Sequence, residues 1–184
     1  SIKPELAVTA GHLHRSRRSM DRWGAWIPPL SGVSVSKETL AGIPCEVHLP
    51  QHSPSNRVIL YMHGGGFVLG SPVSHRNLVS RLALAAGIKA ISIDYRRAPE
   101  HPFPAALTDT VRVYQYCLDQ GIRPSNIVFC GDSAGGNLVL TTLLKLKQDG
   151  LPMPSAGSCI SPWCDLTLKA DSILGNARKD LILT

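Results

Sequence analysis

A serine can attack a carbonyl carbon when its hydroxyl is lifted clear of the surrounding backbone and when the oxyanion that develops finds donors. Two stretches of this sequence hold the residue types for those tasks. The first is Gly131-Asp132-Ser133-Ala134-Gly135-Gly136, with the spacing G-x-S-x-G. Small residues beside the serine let the chain turn sharply from strand to helix, which raises the hydroxyl off the carboxyl end of a sheet. The helix that follows contributes free backbone N–H groups and a positive N-terminus. A phosphate-binding loop is the competing reading, but the lysine of a P-loop and the third glycine spacing of a dinucleotide fingerprint are missing. Ser133 is the candidate nucleophile.

The second stretch is His63-Gly64-Gly65-Gly66-Phe67. Consecutive glycines let backbone N–H groups approach a developing oxyanion unobstructed. Such a segment pairs with the residue after the nucleophile, so the expected oxyanion hole is the N–H groups of Gly65, Gly66 and Ala134, with Gly64 shaping the loop. His63 precedes the hole and is expected to fix the loop through hydrogen bonds rather than act as a base. Asp132 reads as a scaffold acid, since a neighbour on the same tight turn points away from the serine's target.

These residues need strands that end beside them. Val33 to Leu40 and Ile43 to Leu49 read as a hairpin turned at Ala41-Gly42. Arg57 to Met62 is an apolar run of the kind buried on both faces. Beyond it helix and strand alternate: helices near 74–86, 104–120 and 133–148, strands at 88–94, 126–130 and 156–160. Repeated βα units imply a mostly parallel sheet with helices on both faces. Residues 1 to about 30 read as a partly amphipathic helical segment stopped at Pro28-Pro29, in which Trp23 and Trp26 are expected to pack in the core or line a pocket. The tail from Ser161 reads as irregular with short helix.

With these motifs quoted, the sequence resembles the hormone-sensitive-lipase-like branch of the α/β-hydrolases, which includes many bacterial carboxylesterases. Two further segments carry the resemblance: Asp94-Tyr-Arg-Arg-Ala-Pro-Glu-His-Pro-Phe-Pro-Ala-Ala106 and Ser161-Pro-Trp-Cys-Asp-Leu166. The resemblance implies an α/β-hydrolase core over 33–184 and amino-terminal cap helices over 1–32. It also implies a small, apolar ester as substrate, held on Ser133 as an acyl-enzyme, with no metal and no cofactor. Within the Asp94–Pro104 segment, Arg96, Arg97 and Glu100 are expected to form an ion pair that pins a loop beside the site. Trp163 reads equally as a pocket wall or a core residue.

In this fold the triad runs Ser, then Asp or Glu, then His. All seven histidines, at 12, 14, 48, 52, 63, 75 and 101, precede Ser133. Four acids follow it, Asp149, Asp165, Asp171 and Asp180, but by the resemblance the triad acid belongs to a later strand. Triad acid and base are thus read as absent, and the chain as a core truncated before its last strands, with an apolar edge. The alternative is a non-catalytic ligand-binding protein on the same scaffold, of the gibberellin-receptor kind.

Composition narrows the class further. The chain has 184 residues, 43% hydrophobic and 17% charged, which excludes disorder and gives one domain a real core. The net charge of +6 gathers at the amino end, in Lys3, Arg15, Arg17, Arg18 and Arg22. Without a binding motif it reads as a solvated helix face, not a nucleic-acid patch. No run approaches a membrane span. Five cysteines without metal-ligand spacing read as reduced, mostly buried thiols of a cytoplasmic protein. Self-association is left open.

Overall fold

A computed structural model describes residues 10–28, 30–176 and 179. A six-stranded sheet has the order β1-β2-β4-β3-β5-β6. β1 (Val33–Leu40) and β2 (Ile43–Pro50) form the expected hairpin, in register from Val33↔Pro50 to Leu40↔Ile43. Ala41 and Gly42 close it with positive φ of 50° and 79°, the pairing that a two-residue turn between twisted strands requires. β2 runs antiparallel to β4 (Lys89–Ile93); β3 (Val58–Met62), β5 (Ile127–Asp132) and β6 (Ala156–Ile160) are parallel to β4 and to one another.

The alternation of β3 shows why two helical layers form. Leu60 and Met62 enter the larger core, with Phe129 on β5, Tyr114 on α3 (Ala105–Asp119) and Val139 and Leu146 on α4 (Ala134–Gln148). Ile59 and Tyr61 point the other way, into a smaller cluster with Val79 and Ala83 of α2 (Pro72–Ala86). Both faces of the strand are buried, as its unbroken apolar run foretold. α2 is well delimited: Ser71 caps it in a reciprocal box with Ser74, Pro72 opens it, and Gly87 closes it in the left-handed conformation.

α1 (Ala10–Trp26) packs on α2, and its Gly24 lies so close to the backbone of Val73 and Ser74 that a Cβ there would collide with it. The expected helical residues before Ala10 lie outside the described set. Ser19 and Arg22 line a recess of about 230 Å³ together with Trp23 and Trp26, so the pocket expectation holds for these two tryptophans and the core expectation does not. They are 71% and 80% exposed and meet each other edge to face, because the buried side of α1 is carried by Leu13 and Gly24 instead. β6 is the outer strand on the side away from the hairpin, where Ala156, Gly157, Ser158 and Ile160 are exposed and only Ile160 is large, while α4 carries the expected apolar helix face in the exposed Leu140 and Leu144. α5 (Asp171–Asn176) is the short helix of the tail. None of the five cysteines is in a disulfide, and among the described residues no helix is long and apolar enough to cross a membrane.

Candidate active site

Parallel pairing of β3 and β5 sets Met62 opposite Gly131, so the two glycine motifs leave the sheet side by side. Ser133 sits between β5 and α4 with φ 52° and ψ −119°, a conformation that costs on the order of 1–3 kcal/mol for a residue with a Cβ. What over-determines it is visible in the backbone. Ser133 donates its N–H to Ile160 O at 2.9 Å, and its carbonyl accepts from Asn137 N at 3.1 Å and Trp163 N at 3.0 Å. The turn is tight enough that a Cβ on Gly131 would strike the Gly135 carbonyl, and one on Gly135 the Met62 carbonyl. These glycines are required by close approach, not by flexibility.

Asp132 faces the other motif. One of its carboxylate oxygens accepts from the Tyr61 hydroxyl at 2.7 Å and from Gly64 N at 2.9 Å, and His75 Nε2 lies 3.5 Å from the second. Burial opposes the charge, but His75, Tyr61 and the Gly64 N–H outweigh it and hold the carboxyl below its ordinary value. Asp132 is thus the expected scaffold acid, and it consumes the Gly64 N–H. Among the described residues, the N–H groups of Gly65, Gly66 and Ala134 donate to no backbone or side-chain acceptor.

His63 is fully buried, stacks on Tyr95 with ring centroids 4.2 Å apart, and sets Nδ1 2.8 Å from the Gly64 carbonyl. Its own carbonyl takes the Tyr95 hydroxyl at 2.6 Å. Burial pushes the imidazole down to about 3, so it is neutral at physiological pH and holds the loop. Among the described residues no histidine hydrogen-bonds to Ser133.

The Asp94–Pro104 segment corrects one expectation. Arg96 does not pair with Glu100; it makes a bidentate bond to Asp109, a wholly buried carboxylate on α3. Arg97 reaches Asp94 at 3.2 Å and the Gly70 carbonyl. Glu100 is taken by Arg17 of α1, at 2.8 and 2.9 Å. Arg17 also donates to Val68 O at 2.7 Å and Ala98 O at 2.8 Å, while Ala98 N reaches Phe67 O at 2.9 Å. One residue of the basic run is therefore not a solvated charge but a clamp joining α1, the glycine loop and the segment after β4. Local sequence held no signal for it, because its partners lie 51 to 83 positions away. Trp163 is half-buried, with its backbone on Ser133 and Asn137.

Residues 59–184 match the family described as the alpha/beta hydrolase fold. The chain is similar to an acetyl-hydrolase of Streptomyces hygroscopicus, 45% identical over 127 residues, covering 69% of this chain and 42% of that protein. It is similar to an esterase of Acinetobacter venetianus, 38% identical over 168 residues, covering 91% and 55%. In structure it resembles the crystal structure of an esterase from the bacterial hormone-sensitive lipase family, with TM-score 0.87, 39% identity and coverage of 91% and 57%. The chain spans about half the length of the relatives it matches.

Proposed function

The chain belongs to the alpha/beta hydrolase fold family, in its hormone-sensitive-lipase-like branch, and from that premise we propose that it carries the nucleophile and oxyanion hole of a serine carboxylic-ester hydrolase. Ser133 Oγ bonds to the ester carbonyl carbon, and its proton passes to a base. The oxyanion rests on the N–H groups of Gly65, Gly66 and Ala134. The C–O bond to the alcohol then breaks as the base returns the proton to the leaving oxygen, and water releases the acid from the acyl-enzyme by the same steps. The observation that carries this reading is Ser133 held at φ 52° beside three uncommitted N–H groups.

The base is the part these residues do not supply. No histidine of the sequence follows Ser133, and His63 is fully buried with its Nδ1 on the Gly64 carbonyl. We assign the histidine and its orienting acid to chain outside this sequence, and the substrate to the small apolar esters. In a serine protease, loss of the histidine costs on the order of 10⁶ in turnover, with roughly 10³ to 10⁴ over water retained by the hole and binding. We assign residues 1–32 to the amino-terminal cap segment, of which α1 is the described helix, and 33–184 to the hydrolase core. The five free thiols support a reducing, cytoplasmic setting.

A fluorophosphonate probe and p-nitrophenyl butyrate applied to the full-length gene product test the assignment. Prompt labelling and turnover, both abolished by Ser133→Ala, are expected. A folded full-length protein that neither labels nor turns over would overturn it and favour a ligand-binding protein on the same scaffold.

A further inference from the structure

Two thiols bracket the turn that holds the nucleophile. Cys159 lies in β6, Cys164 lies in the irregular stretch after it, and Ile160, Ser161, Pro162 and Trp163 run between them. This turn grips Ser133 from both sides. The Ile160 carbonyl accepts from Ser133 N at 2.9 Å, and Trp163 N donates to the Ser133 carbonyl at 3.0 Å. The Asn137 amide in turn fixes the Trp163 carbonyl at 2.8 Å. Ser161 reverses the chain at φ 44°, and a Cβ on Gly136 would come within 2.9 Å of Pro162 Cβ, so the turn sits directly on the start of α4. The strained serine is thus supported by a segment with a cysteine at each end.

The two thiols differ in the way a redox pair needs. Cys164 is exposed, so a peroxide reaches it first. Cys159 is half-buried and donates its S–H to the Gly136 carbonyl at 3.5 Å. Burial, with the charge of Cys164 beside it, pushes the Cys159 thiol up, which suits it to resolve an oxidised partner rather than to be oxidised first. Cys45, Cys117 and Cys130 are buried. Cys130 is on the neighbouring strand, but it joins the cluster under α2, whereas Cys159 packs against the larger core on the α4 side.

We propose that Cys159 and Cys164 form a reversible disulfide that withdraws support from Ser133, so that a peroxide turns the hydrolase down. The loss of turnover, though not the ring itself, rests on the ester-hydrolase reading above. The Cys164 thiolate bonds to one peroxide oxygen, the O–O bond breaks, and hydroxide leaves a sulfenic acid behind. The Cys159 sulfur then bonds to that sulfur, whose hydroxyl departs as water. Two electrons and two thiol protons leave the cysteines, and the peroxide ends as two waters. In a reducing cell such a bond is transient and serves as a sensor. A disulfide needs its two Cα atoms within about 7 Å. Cys159 is fixed in β6 opposite Gly131, so Cys164 is the end that moves. Its inward swing turns Trp163 and takes the Trp163 N–H off the Ser133 carbonyl.

The test applies hydrogen peroxide to the full-length gene product, wild type and Cys164→Ser, with p-nitrophenyl butyrate as reporter. Both cysteines fall in one tryptic peptide, residues 148–169, which holds no other thiol, so the ring reads as the loss of two hydrogens from that peptide. Peroxide should form it, raise amide exchange at Trp163, and lower kcat by roughly tenfold to a hundredfold, the scale on which a displacement of about 1 Å acts. Dithiothreitol should restore the peptide mass and kcat together. Cys164→Ser, at an exposed position, should begin with wild-type kcat and keep it under peroxide. An unchanged peptide mass, a ring that leaves both kcat and Trp163 exchange unmoved, or an equal loss of kcat in Cys164→Ser would each overturn the proposal. A reduced protein without Ser133-dependent hydrolysis would instead overturn the ester-hydrolase reading, while peptide mass and Trp163 exchange still decide the ring and its hold on the turn.

Discussion

Gly135 shows how much of the site is sterics written one atom at a time. Adding a Cβ there drives it into the Met62 and His63 carbonyls, which are backbone and cannot swing aside. Gly135→Ala should therefore part β3 from the elbow, displace Gly65 and Gly66 relative to Ser133, and lower stability by about 1–3 kcal/mol. Urea unfolding of the variant measures the second effect; the first appears as a fall in kcat for the full-length protein. Ala134→Gly removes only a methyl at the same turn and should leave the donor in place. Glycines and serine at this spacing were legible because close approach permits so few residue types. The partners of Asp132 were not, since Tyr61 and His75 arrive from other elements and carry no mark of that role in their own neighbourhoods.

Elements were read well where period and punctuation agreed. The hairpin closed at Ala41-Gly42 and the buried run of β3 needed only local rules. What escaped was the docking of α1, because a helix with an arginine run offers several candidate charges and no indication of which one is buried. Arg17 is the one, with side-chain exposure of 15% against 41% for Glu100. It ties Val68 O, Ala98 O and Glu100 together, and with Arg97 on Gly70 O and Ala98 N on Phe67 O it occupies the outward carbonyls of the glycine loop. Hydrogen bonds to a charged group contribute about 1.5–3 kcal/mol. Arg17→Ala should accordingly raise amide exchange across residues 64–70 by roughly tenfold or more and expose α1 to proteolysis. Glu100→Gln should do less, since Arg17 keeps its two carbonyl acceptors. Equal effects of the two variants would mean that the surface ion pair, not the carbonyl contacts, fastens the helix.

Across the whole molecule the same burial that builds two cores sets the response to acid. His48 on β2 is enclosed beneath α2 with Nδ1 2.9 Å from the Ser80 hydroxyl, and Glu46 and Arg76 flank it from β2 and α2. Burial, opposed in part by Glu46, pushes it down to about 4, as burial pushes His63 down to about 3. A histidine near 6.5 in the unfolded chain and lower in the fold binds its proton preferentially when unfolded. Stability is therefore complete above about pH 6.5 and falls as pH drops toward 4, with a slope that approaches about 1.4 kcal/mol per pH unit for each histidine, or about 2.7 for the two. Asp132, whose carboxyl is held low, adds a loss of the same sign further down, as pH falls below the ordinary carboxylate range. Urea unfolding at intervals from pH 8 to pH 5 should show a midpoint that is flat above neutrality and declines below it. In His48→Gln the amide can keep the Ser80 contact without titrating, so the slope between pH 6 and 5 should fall by about half. An unchanged slope would show that His48 takes up its proton in the fold as readily as in the unfolded chain, and that the space under α2 is open to water.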